Sequence, residues 1–465
     1  MEKKIDVRKA GALYLAGTLF NKGIGFITVP IFTRILTMEA YGIVTTYNSW
    51  VSMLGIFMSL AMYMGIRASF VDYENKTMDF FSTVISFTLL YGVCLSGLIV
   101  VGVTILPISI DLGLVIACLI NSVASAVIEN ASMYFMMKYN YKARTAIMVL
   151  PNLISTIISI VLIKHIFIHQ QHWGRILPNV ITTLLSGIVI VIYSFSRSKV
   201  HFNVEYIRYS LRISAPLVLH GIALSILSQS DRTMITAIRN TKETAIYGLI
   251  YNFSMIATVL TTSLDGIWIP FFTEKMKNNE YDEINLLSKK YIRFITVVIL
   301  CVILVAPEIV KILATESYWE GISIVPPIVL ANYFIFLYTM YVNIEHFHKK
   351  TLFISINTII AACTNILLNL IYIKNYGYVG AAYATVASYV ISFVLHYYYS
   401  RKLNKILFPL RYFLMPTLFV IIIILLFYVF IDNWIIRWGI AITCMLMWVL
   451  YERKMIVSLL RKRKE

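Results

Sequence analysis

The chain has 465 residues, 59% of them hydrophobic and only 14% charged, with a mean hydropathy of +0.78. That composition excludes an ordinary soluble domain, in which about a quarter of the residues are charged. A formal net charge of +17 would suggest nucleic acid in a soluble protein, but here the placement of the charges decides otherwise.

The apolar residues fall into about fourteen runs of roughly 18–27 residues, each able to cross ~30 Å of hydrocarbon at 1.5 Å per residue. In chain order the predicted spans are 10–33, 42–66, 79–106, 112–136, 145–168, 175–195, 213–237, 245–270, 291–314, 321–344, 352–373, 378–399, 409–431 and 434–451. The basic start MEKKIDVRK precedes an apolar run that is too long for a signal peptide. That run lacks a small-x-small cleavage pattern and carries Lys22, so it reads as a retained first helix. The five cysteines all lie inside predicted spans with no C-x-x-C spacing, which predicts apolar fillers and neither disulfide nor zinc. With the N-terminus inside, and each span end counted with its adjoining loop, 30 of the 40 Lys and Arg fall on the cytoplasmic side and 9 on the outer side, with Lys22 well inside span one. This is the positive-inside pattern. It accounts for the charge as topology and contact with anionic lipid, leaves nucleic acid without support, and places both termini in the cytoplasm.

A turn recurs. TRILTMEAYGIVTTYN begins at Thr33, and TAIRNTKETAIYGLIYNFS at Thr236. Aligned at an offset of 206, Tyr41-Gly42 falls on Tyr247-Gly248, Asn48 on Ser254, Ser52 on Thr258 and Ser59 on Asp265. The expected fold is all-α and polytopic. Two parallel six-helix bundles, 1–196 and 213–400, are related by a pseudo-two-fold axis along the membrane normal and joined by a cytoplasmic linker, 197–212. Two additional helices and a basic cytoplasmic tail, 401–465, complete the chain. The substrate path is expected between the bundles.

Ionisable residues at membrane depth are costly, by ~2.5–3.5 kcal/mol on insertion scales, and mark working cavities. Lys22 lies roughly 18 Å into the first span, with Thr18, Asn21 and Gly25 on its face. In span seven, His220, Ser225, Ser228, Asp231 and Arg232 share about 140° of arc. Span two carries a stripe of Thr45, Asn48 or Ser49, Ser52 and Ser59, and its repeat partner one of Ser254, Thr258, Thr261, Thr262 and Asp265. Such stripes can serve only to tie helices together; a matched pair in both halves fits the walls of a wet cavity better. Glu129 on span four, with Ser122 and Ser125, is read as a further buried acid. His165, His169 and His172 crowd an outer loop with Arg175, but no carboxylate completes a metal or catalytic site there.

Three stretches carry a family resemblance: SDRTMI with its following Ala-Ile-Tyr-Gly turn, GRILPNVITTLLSGI at Gly174, and NILLNLIYIKNYGYVGAAYATVASY at Asn365. Together they resemble the polysaccharide-export branch of the multidrug/oligosaccharidyl-lipid/polysaccharide (MOP) exporter superfamily, and within it the Wzx-type O-antigen or repeat-unit flippases. The resemblance implies a MATE-like, V-shaped pair of bundles that open alternately to the two sides of the bacterial plasma membrane. It implies an undecaprenyl-diphosphate-linked oligosaccharide as cargo, and a polysaccharide polymerase and chain-length regulator as companions. Lys22, helped by Arg232 and Arg175, is the expected diphosphate holder, because a cation in low dielectric binds a polyanion strongly. Asn21, Asn48, Ser52 and Thr258 are the expected sugar partners. Asp231, Asp265 and Glu129 are the expected carriers of a coupling H+ or Na+, and no other cofactor is expected. A drug/cation antiporter of MATE type and a lipid II flippase are the near alternatives. A membrane polymerase or glycosyltransferase is the alternative from another class; short outer loops and the lack of D-x-D, H-E-x-x-H or G-x-S-x-G weigh against an enzyme.

Overall fold

The computed structural model describes residues 26–105 and 111–453. Every regular element among them is helical: α1 (Phe26–Ile35), α2 (Met38–Ser59), α3 (Tyr63–Asp72), α4 (Thr77–Ile105), α5 (Leu112–Met137), α6 (Tyr141–His165), α7 (Gln171–Arg197), α8 (Val204–Ile238), α9 (Thr241–Lys277), α10 (Tyr281–Leu313), α11 (Val325–Phe347), α12 (Thr351–Leu403), α13 (Arg411–Val429) and α14 (Trp434–Tyr451). Apolar length makes them helices, since intrahelical hydrogen bonds satisfy every backbone group of a single segment inside hydrocarbon. Polar side chains start them. Thr37, Asp111, Asn140, Asn203 and Asn433 each accept a bond from a first-turn N–H of α2, α5, α6, α8 and α14.

Among the described residues, eleven helices are long and apolar enough to cross a membrane, or twelve when the pair Val204–Ala215 and Leu217–Ile238, bent by 51°, is taken as one span. α12 counts once in that number although it contains two spans. At Gly377 the backbone takes φ 57° and ψ −142°, a conformation essentially confined to glycine. Beyond it the chain folds back: Asn357 Nδ2 donates to the Ser392 carbonyl at 3.2 Å, and the Phe353 and Tyr399 rings stack at 3.6 Å. The predicted spans 352–373 and 378–399 are therefore the two arms of a hairpin. Span 42–66 is broken. Leu60 and Ala61 both have positive φ, separating α2 from α3, and the Ser214 hydroxyl on α8 caps the Ala61 carbonyl at 2.9 Å. The first predicted span lies mostly outside the described residues, which reach only its end as α1.

The chain separates into two compact units, dividing between Ala245 and Ile246. The division falls later than the linker expected at 197–212, because α8 packs along α2 and α3 in the first unit. The first unit's core gathers Phe80, Phe81, Val84, Ile85, Ala131 and Tyr134, all fully buried where α4 and α5 meet. In the second, α11 packs on the α12 hairpin and α10 carries α13 and α14. The buried Arg437 of α14 donates to the Leu304 carbonyl at 2.6 Å and forks onto the Glu308 carboxylate of α10, which fastens the C-terminal pair to the unit.

Candidate functional site

The first unit contains a polar cavity of about 640 Å³. α2 supplies Asn48 and Ser52; α5 supplies Asn121, Ser125, Glu129 and Ser132; α6 supplies Asn152; α7 supplies Asn179 and Thr183. Four amides, four hydroxyls and one carboxylate thus converge inside a set of apolar helices. The arrangement is braced from behind. Asn121 Nδ2 donates to Asn179 Oδ1 at 2.7 Å and to Tyr47 Oη at 3.1 Å, and Tyr47 donates to the Ala117 carbonyl at 3.2 Å. Asn152 follows Pro151, which has no N–H to offer the carbonyl of Ile147 one turn earlier. Pro151 and Ile147 both line the cavity, so a backbone acceptor there lacks its helical donor.

Glu129 faces this space and is exposed to it, with the Ser59 hydroxyl within hydrogen-bonding reach. The sequence predicts a buried acid at 129; in the structure Glu129 is open to the cavity, whose other walls come from α2, α6 and α7. Arg144, in the first turn of α6, donates through Nε to Ser132 Oγ at 2.9 Å, which brings a guanidinium to the edge of the lining.

A family model described as polysaccharide biosynthesis protein matches residues 7–276, more than half of the chain. The chain belongs to the polysaccharide biosynthesis protein family. A curated relative, protein 1 of the Lsg locus of Haemophilus influenzae, is 22% identical over 291 residues, covering 59% of this chain and 68% of that one. Three solved structures share the fold. The lipid II flippase MurJ in an inward closed conformation has a TM-score of 0.69 at 18% identity, covering 96% of this chain and 100% of its own. An inward-facing multidrug resistance MATE transporter of the MOP superfamily has a TM-score of 0.55 at 14% identity, covering 82% and 98%. A MOP superfamily transporter from Pyrococcus furiosus, described by the reversed polarity of its binding pocket, has a TM-score of 0.55 at 12% identity, covering 86% and 98%. This family member therefore shares the helical fold of MurJ and the MATE transporters, and its described residues include helices long and apolar enough to cross a membrane.

Of the residues expected to act, the structure brings Asn48, Ser52 and Glu129 together. Arg175 is not in that lining: its guanidinium lies 4.3 Å over the Phe32 ring and reaches Ser159 Oγ at 3.3 Å. Asp231 and Arg232 are buried on α8, where Arg232 Nη1 donates to the Ser228 carbonyl at 3.0 Å and to Gln229 Oε1 at 2.8 Å. Thr258 and Asp265 are on α9, mostly in the second unit. Thr258 donates to Asn332 Oδ1 at 3.0 Å and so ties α9 to α11. Lys22 and Asn21 lie outside the described residues. Among those described, no cluster of three or more His, Cys, Asp or Glu could hold a metal ion. The sequence reading missed Asn121, Ser132, Asn152, Asn179 and Thr183. A signal was available in the two Pro-Asn pairs, Pro151-Asn152 and Pro178-Asn179, each an amide set beside a helix-breaking residue in an apolar run.

Proposed function

We propose that this protein carries an undecaprenyl-diphosphate-linked oligosaccharide from the cytoplasmic to the outer leaflet of the bacterial plasma membrane by alternating access. Family membership supports a polysaccharide precursor as cargo, and the fold shared with a lipid II flippase supports a lipid-linked one. The observation that carries the reading is the cavity of amides and hydroxyls in the first unit. Neutral donors and acceptors at many angles are what a sugar headgroup needs, and an apolar tail can stay in the bilayer beside the helices. Lys22 remains the proposed midplane cation for the diphosphate, with Asn21 beside it and Arg232 and Arg175 as supporting groups. Arg144 is added as a cation at the cavity edge. Asn48, Ser52 and Thr258 are proposed to meet the sugar, and Asp231, Asp265 and Glu129 to carry a coupling H+ or Na+.

The test is the leaflet distribution of lipid-linked oligosaccharide in cells depleted of the protein. The proposal expects the precursor to accumulate on the cytoplasmic side; unchanged distribution would refute it. A second reading is favoured by one feature, the carboxylate of Glu129 in the cavity lining, which would also suit an organic cation. Increased drug resistance on overexpression, with precursor distribution unaffected, would select that reading.

A further inference from the structure

In the second unit, Glu345 of α11 and His396 of the second arm of α12 form a fully enclosed pair. His396 Nδ1 lies 2.9 Å from both carboxylate oxygens, and the Ser400 hydroxyl reaches Oε1 at 3.1 Å and the Tyr341 carbonyl at 3.1 Å. The His396 side chain is 2% exposed and that of Glu345 0%. Tyr338 stacks on the imidazole at 5.3 Å, and Phe353 of the first arm closes its edge at 6.0 Å. The titratable or charged neighbours are His346, Tyr338 and Tyr341 on α11, Tyr397 and Arg401 on the second arm, and Tyr251 on α9. Arg401 is turned to the Lys405 carbonyl.

The geometry points to Glu345–His396 as a proton-binding site whose occupancy is coupled to the packing of α11 against the second arm of α12. Elsewhere the interface between these elements is packed with aromatic rings: Phe334 and Tyr341 lie against Phe393, and Tyr338 stacks on Tyr389. Here it encloses an acid and a base, at a desolvation cost that apolar residues would avoid. Sharing one proton, the pair is neutral overall, whether written as carboxylate with imidazolium or as acid with neutral imidazole. Losing that proton leaves a net negative charge, and gaining a second leaves imidazolium beside a carboxylic acid with a net positive charge. Neither state is tolerated in a dry enclosure. A change in proton count therefore requires the enclosure to open to water, and opening it favours the change, which is linkage between conformation and protonation. The position suits exchange with water: Glu345 is two residues from the end of α11, and the adjacent His346 is exposed.

The transport part of this inference rests on the function proposed above; the proton-binding part does not. The test uses the purified full chain, by infrared difference spectroscopy between neutral and acid pH, and proteoliposomes carrying a fluorescent polyprenyl-diphosphate disaccharide. A carboxylic-acid band gained by the wild type on acidification is expected to be missing in Glu345→Gln. An imposed pH gradient of about one unit should change wild-type accumulation of the probe by up to about tenfold for one proton per cargo, and change that of Glu345→Gln severalfold less, any remaining response belonging to the acids named above. Superimposable spectra of wild type and variant, or a variant that responds to the gradient as the wild type does, would overturn the inference. If the wild type moves no probe, the proposed function falls and the spectra alone decide the proton site. Should Glu345→Gln fail to fold, nitrogen NMR of the wild-type imidazole, assigned with His396→Gln, replaces the spectra. A ring whose protonation stays fixed across the same pH range then overturns the inference.

Discussion

Gly42 of α2 approaches Thr241 so closely that a Cβ built on it would stand 1.8 Å from the Thr241 carbonyl oxygen. The same seam joins Thr46 to Thr236 at 2.6 Å, Thr236 to Thr244 at 2.7 Å and Lys242 to Glu39 at 3.0 Å. It is where the two copies of the repeated turn, beginning at Thr33 and Thr236, come into contact. The contact lies within the first unit, and the alternating access proposed above expects it to part and close. In a cysteine-free background, Glu39→Cys with Lys242→Cys should cross-link with a short reagent and stop transport, and cleaving the link should restore it. Unimpaired transport by the linked protein would show that the seam is static.

Gly42→Val should shift the same seam toward the parted state, because backbone rather than a flexible side chain stands in the way. The cross-linking yield of the cysteine pair should fall severalfold. An unchanged yield would mean that α2 and the 239–245 turn can move aside without separating.

Arg437→Ala should destabilise the protein by about 3 kcal/mol, since it removes a buried guanidinium bonded to the Leu304 and Phe430 carbonyls and leaves Glu308 with the Trp438 N–H alone. Pairing Arg437→Met with Glu308→Leu should recover most of that loss. Thermal unfolding in detergent reads both. If the single variant melts like the wild type, α14 is held by apolar contact alone.

Gly377→Ala should cost about 1–3 kcal/mol, the usual penalty for a side chain held in that region of backbone space. Thr258→Val should cost only about 0.6 kcal/mol, the typical value of one interhelical hydrogen bond in a membrane protein. Comparing the two melting shifts separates a backbone requirement from a replaceable polar tie.

Most of the architecture was legible because hydrocarbon imposes one rule on every segment: an apolar run of bilayer length becomes a helix. The hairpin at Gly377 was legible too, since the spans on either side were separated at Asn375-Tyr376-Gly377. The break at Leu60-Ala61 was not. No glycine or proline marks it, and it is held by Ser214, 153 residues away in sequence. The site was legible along one helix at a time. The stripe of Asn48 and Ser52 follows from helical spacing, whereas its meeting with Asn121 and Asn179 depends on how α2, α5 and α7 pack. Charge reasoning found expensive residues but could not assign their partners. Arg175 is occupied by Phe32 and Ser159, and Glu345 and His396 were passed over because 51 residues separate them in the chain.

The most direct measurement is the rate at which proteoliposomes holding Asn121→Ala/Asn179→Ala expose a fluorescent polyprenyl-diphosphate disaccharide to an impermeant lectin. Two lost hydrogen bonds of about 1 kcal/mol each predict a fall of roughly tenfold or more relative to the wild type, with protein folding and insertion intact. A rate equal to that of the wild type would contradict a sugar seated in this cavity.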